Sequence, residues 1–205
     1  MRPQEFLDAL SIAGKLKMNT RHCWTQIDRK ESVADHSWRL ALMAMLLENE
    51  PEFCGLDMSR VIRMCLIHDL GEAFTGDIPS FLKSTAAEQK EDALYQGWVS
   101  SFPNQDRSEW SSLLQEMNAM ETKEAKVYKA LDKLEAIITH NESDIRTWLP
   151  LEYELQKTYG QENMKVSPYL EELRAVIDAW TDRKISAESP DPPVERRRSP
   201  EDPDR

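Results

Sequence analysis

The sequence contains little glycine and no long hydrophobic run. Six glycines and 11 prolines are few chain breakers for 205 residues, and five of those prolines lie beyond position 189. This scarcity favours helices over strands and turns in the rest of the chain. The longest apolar run, Leu40 to Leu47, is far too short to span a bilayer, and the N-terminus lacks the apolar segment of a secretory signal. We therefore expect a soluble, intracellular, mainly helical protein.

Cysteine and positive charge are also scarce. Cys23, Cys54 and Cys65 form no CxxC pair and leave one thiol over in any pairing, so a reducing compartment, the cytoplasm, fits best. Lysine and arginine total 26 against 37 acidic residues, which gives a formal charge of −11. This charge disfavours binding to nucleic-acid polymers and to anionic membranes.

Apolar residues recur every three to four positions and predict one all-α domain over residues 1–186. Ser32 and Asp35 form a helix-capping signal at the start of the second helix. The expected helices span residues 3–15, 32–47, 58–74, 85–101, 107–120, 122–140 and 168–185, with a loop at 17–30 and an irregular helical stretch at 145–164. The segment 187–205 is rich in proline and charge, and we expect it to be a disordered tail.

Four polar side chains interrupt the apolar faces of three predicted helices: His36, the adjacent pair His68 and Asp69, and Asp132. Each of them alone is more often a buried residue with a hydrogen-bond partner than a ligand, because an unpartnered polar group in a core is costly. Together, two imidazoles and two carboxylates suit one divalent ion such as Mn²⁺, Fe²⁺, Co²⁺, Ni²⁺ or Zn²⁺. Catalysis would require open coordination positions besides these four ligands, which favours an octahedral ion.

The order His36, His68-Asp69, Asp132 resembles the H…HD…D signature of the HD-domain metal-dependent phosphohydrolases. Within that superfamily the sequence is most similar to the group of 5′-deoxynucleotidases and HD-domain-containing protein 2. The resemblance covers roughly residues 5–140, and the similar stretches are RHCW at 21–24, ESVADHS at 31–37, HDLGEAFTGDIP at 68–79, EAK at 124–126 and ALDKLE at 130–135. It implies an HD-domain helical bundle that hydrolyses a deoxyribonucleoside 5′-monophosphate to a deoxyribonucleoside and phosphate.

The resemblance also implies a role for each matching residue. His36, His68, Asp69 and Asp132 would bind the metal ion, which would polarise the phosphoryl group and lower the pKa of the attacking water. The implied roles of the other residues are Glu72 for the attacking water, Arg21 for the phosphate, Asp77 for a sugar hydroxyl and Trp24 for a wall of the nucleoside pocket. A surface glutamate, a turn aspartate and a core tryptophan are the structural alternatives for Glu72, Asp77 and Trp24.

One part of the motif departs from the family pattern. The common Arg-Thr-Gly-Trp form is here Arg-His-Cys-Trp, so His22 is an additional residue that we interpret as part of a loop. His140 would lie at the end of a helix, where a histidine can bind free carbonyls. HD oxygenases are an alternative of a different reaction class, and they need further histidine or carboxylate ligands for a second metal ion. His22 and His140 both look poorly placed for metal binding, which disfavours this alternative.

Two further alternatives remain open. An HD hydrolase of another nucleotide, a triphosphate or an alarmone, is the nearest one. A non-catalytic helical interaction module is the other, and it would retain its function without His68 and Asp69. The resemblance also suggests a homodimer.

Overall fold

The computed structural model describes residues 1–25 and 29–188, and these are mostly helical. The α-helices in this part of the chain are α1 (Pro3–Ala13), α2 (Val33–Leu47), α3 (Met58–Ile67), α4 (Glu72–Thr75), α5 (Thr85–Ser100), α6 (Asn104–Ala119), α7 (Lys123–Glu142), α8 (Glu152–Thr158), α9 (Gln161–Met164) and α10 (Pro168–Glu188). Short 3₁₀ helices occur at Gly14–Lys17 and Ile145–Thr147. Two strands, β1 (Thr20–Trp24) and β2 (Lys30–Ser32), form an antiparallel pair.

The core lies where α2, α3 and α7 pack on one another. Leu40 of α2, Met64 of α3 and Leu131 of α7 are completely buried there. The amphipathic patterns of these helices predict this packing, because each of them turns one apolar stripe inward. α5 and α6 cover α3 and α4, whereas α10 packs on α7, α8 and α9. The three central helices therefore provide a rigid frame for the polar residues that they carry inward.

The start of α2 follows the capping signal in the sequence. The Ser32 hydroxyl accepts a hydrogen bond from the Asp35 amide at 3.1 Å, and the Asp35 carboxylate accepts one from the Ser32 amide at 2.9 Å. This reciprocal pair satisfies two amides that the first turn of a helix leaves free. It also fixes the helical phase of His36, the next residue along α2.

The expected helix over 58–74 is interrupted at the His68-Asp69 pair. α3 ends at Ile67, and the Leu70 and Glu72 amides bond to carbonyls three residues earlier, those of Ile67 and Asp69. These tighter turns change the direction of the chain before α4 begins. Glu72 therefore does not lie on one continuous helix with His68, and the expectation of a single helix over 58–74 is wrong.

The structure also corrects the expected loop at 17–30. Thr20–Trp24 pairs with Lys30–Ser32, so Arg21 and His22 lie on a strand rather than in a loop. The other expected helices occur with boundaries shifted by up to three residues, and α10 continues to Glu188. The expected disordered tail lies outside the described residues from 189 onward. None of the helices described is both long enough and apolar enough to cross a membrane.

Candidate metal centre and cavity

Four side chains from separate parts of the chain meet at one point: His36 of α2, His68 at the end of α3, Asp69 in the following turn and Asp132 of α7. Nε2 of His36 lies 3.3 Å from Nε2 of His68 and 3.2 Å from Oδ1 of Asp132. Oδ2 of Asp69 lies 3.0 Å from Nε2 of His68 and 3.8 Å from Nε2 of His36. The structure thus brings together all four of the residues expected to bind a metal ion.

These separations fit ligands arranged around a single ion. Nitrogen and carboxylate ligands lie about 2.0–2.2 Å from Zn²⁺, so adjacent donor atoms lie about 3 Å apart at octahedral angles and about 3.4 Å apart at tetrahedral ones. Three of the donor distances, 3.0, 3.2 and 3.3 Å, fall in this range. The distances from Nε2 of His36 to Oδ2 of Asp69 (3.8 Å) and from Nε2 of His68 to Oδ1 of Asp132 (3.6 Å) are slightly longer. The donor set is the one that borderline divalent ions prefer.

The outer nitrogen of each histidine is already bonded, which directs the other nitrogen to the centre. Nδ1 of His68 donates to the Cys65 carbonyl at 2.9 Å, and Nδ1 of His36 donates to Glu135. Each Nε2 is therefore free to act as a ligand. Burial lowers the pKa of His68, but the carboxylates of Asp69 and Asp132 raise it to about 10 overall. The centre attracts positive charge, which is the requirement for binding a cation.

Two residues beside the centre, the buried Glu135 and the half-buried Lys129, have no role predicted from the sequence. Glu135, which is completely buried, bonds to His36, and Lys129 donates to Oδ2 of Asp132 at 2.8 Å. Both lie three residues from Asp132 in α7, on the same side of the helix. This spacing is the signal in the sequence that could have identified them.

A cavity of about 240 Å³ opens beside Asp69 and Asp132. Arg21 lines it with a largely buried guanidinium, and Nη1 donates to Glu31 at 2.9 Å and to Glu135 at 3.3 Å. The structure gives Nε and Nη2 of Arg21 no hydrogen-bond partner among the described residues. These donors are available to an anion, since guanidinium binds phosphate oxygens in pairs. Lys129 also lines the cavity and adds a second positive charge.

Glu72 and Asp77 line the same cavity. Glu72 is buried, and its Oε2 has no hydrogen-bond partner in the part of the chain that the structure describes. Burial and the charges of Asp69 and Asp77 raise the pKa of Glu72 to about 9. Burial is also the main cause that raises the pKa of Asp77. Glu72 thus brings a carboxyl oxygen without a protein partner to the lining of the cavity.

Trp24 is not among the residues that line this cavity, and its ring instead faces Nζ of Lys30 at 5.9 Å. His22 and His140 do line it. The sequence suggests that both stand in poor positions for metal binding, but the structure brings both rings to the same carboxylate, that of Glu152. His140 does bond to a backbone carbonyl, that of Ala136 at 3.1 Å, as its position near the helix end predicts.

Known proteins resemble this chain over most of its length. The HD domain family model matches residues 13–174. The 5′-deoxynucleotidase HDDC2 of Homo sapiens is 29% identical over 195 residues, 92% of each chain, and that of Xenopus laevis is 33% identical over 139 residues, 66% of this chain and 67% of its own. A predicted metal-dependent phosphohydrolase from Magnetospirillum magnetotacticum MS-1 superposes with a TM-score of 0.74 at 27% identity, over 89% of this chain and 94% of the other.

The match to the family model covers well over half of the chain, and the fold is similar to that of a solved relative. Together they confirm the resemblance to the HD-domain phosphohydrolases and the all-α class predicted from the sequence. The chain belongs to the HD domain family.

Proposed function

We propose that this protein is a metal-dependent phosphomonoesterase that converts deoxyribonucleoside 5′-monophosphates to deoxyribonucleosides and phosphate. The observation that carries the proposal is the convergence of His36, His68, Asp69 and Asp132 beside a cavity that Asp69, Asp132 and Arg21 line. The relatives named 5′-deoxynucleotidase support the substrate class.

The four residues at the centre would hold one divalent ion, and Mn²⁺, Co²⁺, Fe²⁺, Ni²⁺ and Zn²⁺ all suit the donor set. When bound, such an ion supplies a polarised phosphoryl oxygen and a water of lowered pKa. The protein's part is to fix the ligands before substrate arrives. The bonds from His36 to Glu135 and from His68 to the Cys65 carbonyl do this, since they hold each imidazole in one orientation and one tautomer.

Arg21 is the residue that binds the phosphate in this proposal. Glu31 and Glu135 hold its guanidinium through Nη1, which leaves Nε and Nη2 without a partner among the described residues, and Arg21 lines the cavity. A divalent ion at the centre, together with Arg21 and Lys129, would make a local site for an anion in a molecule whose formal charge is −11. A small nucleotide can therefore bind although the acidic surface disfavours polyanions.

Glu72 is assigned to the attacking water, with which it would exchange a proton, since it lines the cavity and its buried Oε2 has no hydrogen-bond partner among the described residues. Asp77 accepts a hydrogen bond from a sugar hydroxyl at the opposite end of the substrate. Both assignments rest on the position of these carboxylates in the cavity. Trp24 has no corresponding support, because its ring lies against Lys30 and outside the cavity lining.

The proposed enzyme works in the cytoplasm, which agrees with its cysteine content and with the absence of a membrane-spanning helix among the described residues. We extend the proposal to a homodimer on the basis of exposed apolar side chains on two helices. Phe6, Leu7 and Leu10 of α1 and Trp38 and Leu46 of α2 are all more than half exposed. Exposed apolar groups of this size commonly mark an interface.

A nucleotide panel with phosphate detection tests the proposed substrate. Deoxyribonucleoside monophosphates should release phosphate faster than ribonucleoside monophosphates, deoxyribonucleoside triphosphates or guanosine alarmones. Asp69→Asn should abolish the release, whereas Asp92→Asn on the exposed side of α5 should leave it unchanged. Activity on a triphosphate or an alarmone alone would support the alternative HD hydrolase, and release by Asp69→Asn equal to that of the wild type would support the non-catalytic module.

A further inference from the structure

A second cluster of potential metal ligands lies outside the four-residue centre. It consists of His22 of β1, His140 near the end of α7 and Glu152 at the start of α8. Oε1 of Glu152 lies 2.7 Å from Nε2 of His22 and 3.0 Å from Nε2 of His140. All three residues line the cavity described above. Their hydrogen bonds and ring contacts are to one another and to residues other than His36, His68 and Asp132.

The hydrogen-bond geometry of His140 calls for a cation, either a proton or a metal ion, between this ring and Glu152. Nδ1 of His140 lies 3.1 Å from the Ala136 carbonyl, which can only accept, so Nδ1 must carry a proton. In a neutral ring Nε2 then has a lone pair, and this lone pair faces the Glu152 carboxylate oxygen at 3.0 Å. Two acceptors at this distance repel each other. A second proton on His140 or a metal ion that both atoms bind would remove the repulsion.

His140 repeats the arrangement of His68 in the four-residue centre. Nδ1 of His68 donates to a backbone carbonyl three residues earlier, and its Nε2 faces the Asp69 carboxylate at 3.0 Å. Nδ1 of His140 donates to a carbonyl four residues earlier, and its Nε2 faces Glu152 at the same distance. A histidine ligand whose other nitrogen donates to a carbonyl is the usual arrangement at metal sites in proteins.

The cluster is also held in place and shielded on one side. The second oxygen of Glu152 accepts a hydrogen bond from the Leu149 amide at 2.5 Å, and Glu152 is buried. The His22 ring packs edge-on against Phe81, and the His140 ring packs against Trp148. Each side chain is thus oriented by its surroundings, while the cavity leaves the cluster accessible to an ion and to water.

We propose that His22, His140 and Glu152 form a second site for a divalent transition-metal ion. Nε2 of each histidine and Oε1 of Glu152 would be its three protein ligands, and the remaining coordination positions would open to the cavity. Two imidazoles and one carboxylate select Zn²⁺, Fe²⁺, Co²⁺ or Ni²⁺ over Mg²⁺ and Ca²⁺, which prefer all-oxygen sites. The site is additional to the single ion of the proposed function and does not depend on nucleotide hydrolysis.

Cobalt titration of the metal-free full-length protein tests this site. We expect wild type to bind two Co²⁺ ions per chain, as counted by equilibrium dialysis and by the visible absorption of bound Co²⁺. His22→Ala and Glu152→Gln should each bind one ion, and Asp69→Asn should also bind one, at the other site. Ser80→Ala, a change at an exposed residue that lines the same cavity, should still bind two.

Two results would overturn the proposal: binding of a single ion by wild type, or binding of two ions by His22→Ala. His22 is partly exposed on a strand, so its replacement should not prevent folding, and circular dichroism checks this. Histidine NMR of the metal-free and cobalt-loaded wild type gives a second measurement. Cobalt should shift the His22 and His140 ring signals strongly, whereas a His140 imidazolium that cobalt leaves unchanged would show that a proton supplies the missing charge.

Discussion

Glu135 of α7 is bonded to His36 of α2, although 99 residues separate them in the sequence. Burial raises the pKa of Glu135, but His36 and two neighbouring arginines hold it well below its usual range, so the group is an ionised acceptor. Nδ1 of His36 must then donate, which leaves Nε2 as the metal-binding nitrogen. A residue that does not itself bind the ion thus determines how His36 binds it.

Replacing Glu135 with glutamine should weaken metal binding about 10- to 100-fold, because loss of such a partner has this effect on metal affinity. Competition with a chelating dye measures the change. Glu142→Gln is the matched control, since Glu142 bonds to the same arginine, Arg39, but contacts no metal ligand. Equal metal affinities for the two variants would show that Glu135 has no part in orienting His36.

Removal of the Arg21 side chain should raise KM about 10- to 100-fold, a loss of about 1.4–2.7 kcal/mol of binding free energy. Arg21→Lys should recover only part of the loss, because an ammonium group cannot donate two parallel hydrogen bonds to phosphate. Steady-state kinetics on a deoxyribonucleoside monophosphate give both values. Arg29→Lys, at an exposed residue just before β2, is the control. An unchanged KM and kcat in Arg21→Ala would remove Arg21 from the mechanism.

Glu72→Gln should lower kcat about 10²- to 10⁴-fold, the range expected for loss of a general acid or base. Glutamine has nearly the same shape, so the metal content should be unchanged. Glu88→Gln, at an exposed glutamate that also lines the cavity, should keep the activity of the wild type. A Glu72→Gln variant that retained its metal and its turnover would assign the attacking water to another residue.

The same glycine-to-alanine change should have opposite effects at two positions. Gly76, just before Asp77, has φ +78° and ψ 164°, a backbone conformation that is almost restricted to glycine, so Gly76→Ala should lower the free energy of unfolding by about 1–3 kcal/mol. Gly97 lies in α5, and a Cβ added there would meet no other atom within 4 Å. Gly97→Ala should therefore raise the free energy of unfolding by about 1 kcal/mol. Urea denaturation measures both. Two changes of the same sign would contradict this interpretation of the backbone.

The parts of the fold that the sequence predicted are those that depend on local signals. The capping pair Ser32 and Asp35 and the apolar stripes of α2 and α7 correctly placed His36 and Asp132 on inward helix faces. The β1–β2 pair was missed, because strands of five and three residues show too little alternation to be recognised. The break after Ile67 was missed because His68 and Asp69 continue the helical periodicity.

The missed parts of the site depend on contacts between distant segments. Glu135 and Lys129 lie at helical spacing from Asp132, but only the packing of α7 on α2 shows that Glu135 reaches His36. His22 and His140 are 118 positions apart, and the carboxylate that joins them belongs to the stretch 145–164, which the sequence left ambiguous. No local pattern indicates that these three residues meet.

Phosphate release from a deoxyribonucleoside 5′-monophosphate before and after removal of bound metal tests the central claim most directly. We expect the purified protein to contain a divalent transition metal and to release phosphate. Activity should be lost on treatment with a chelator, and it should return when Mn²⁺ or Co²⁺ is added to the wild type but not to Asp69→Asn. Phosphate release that continued at the same rate in the metal-free protein would contradict the account.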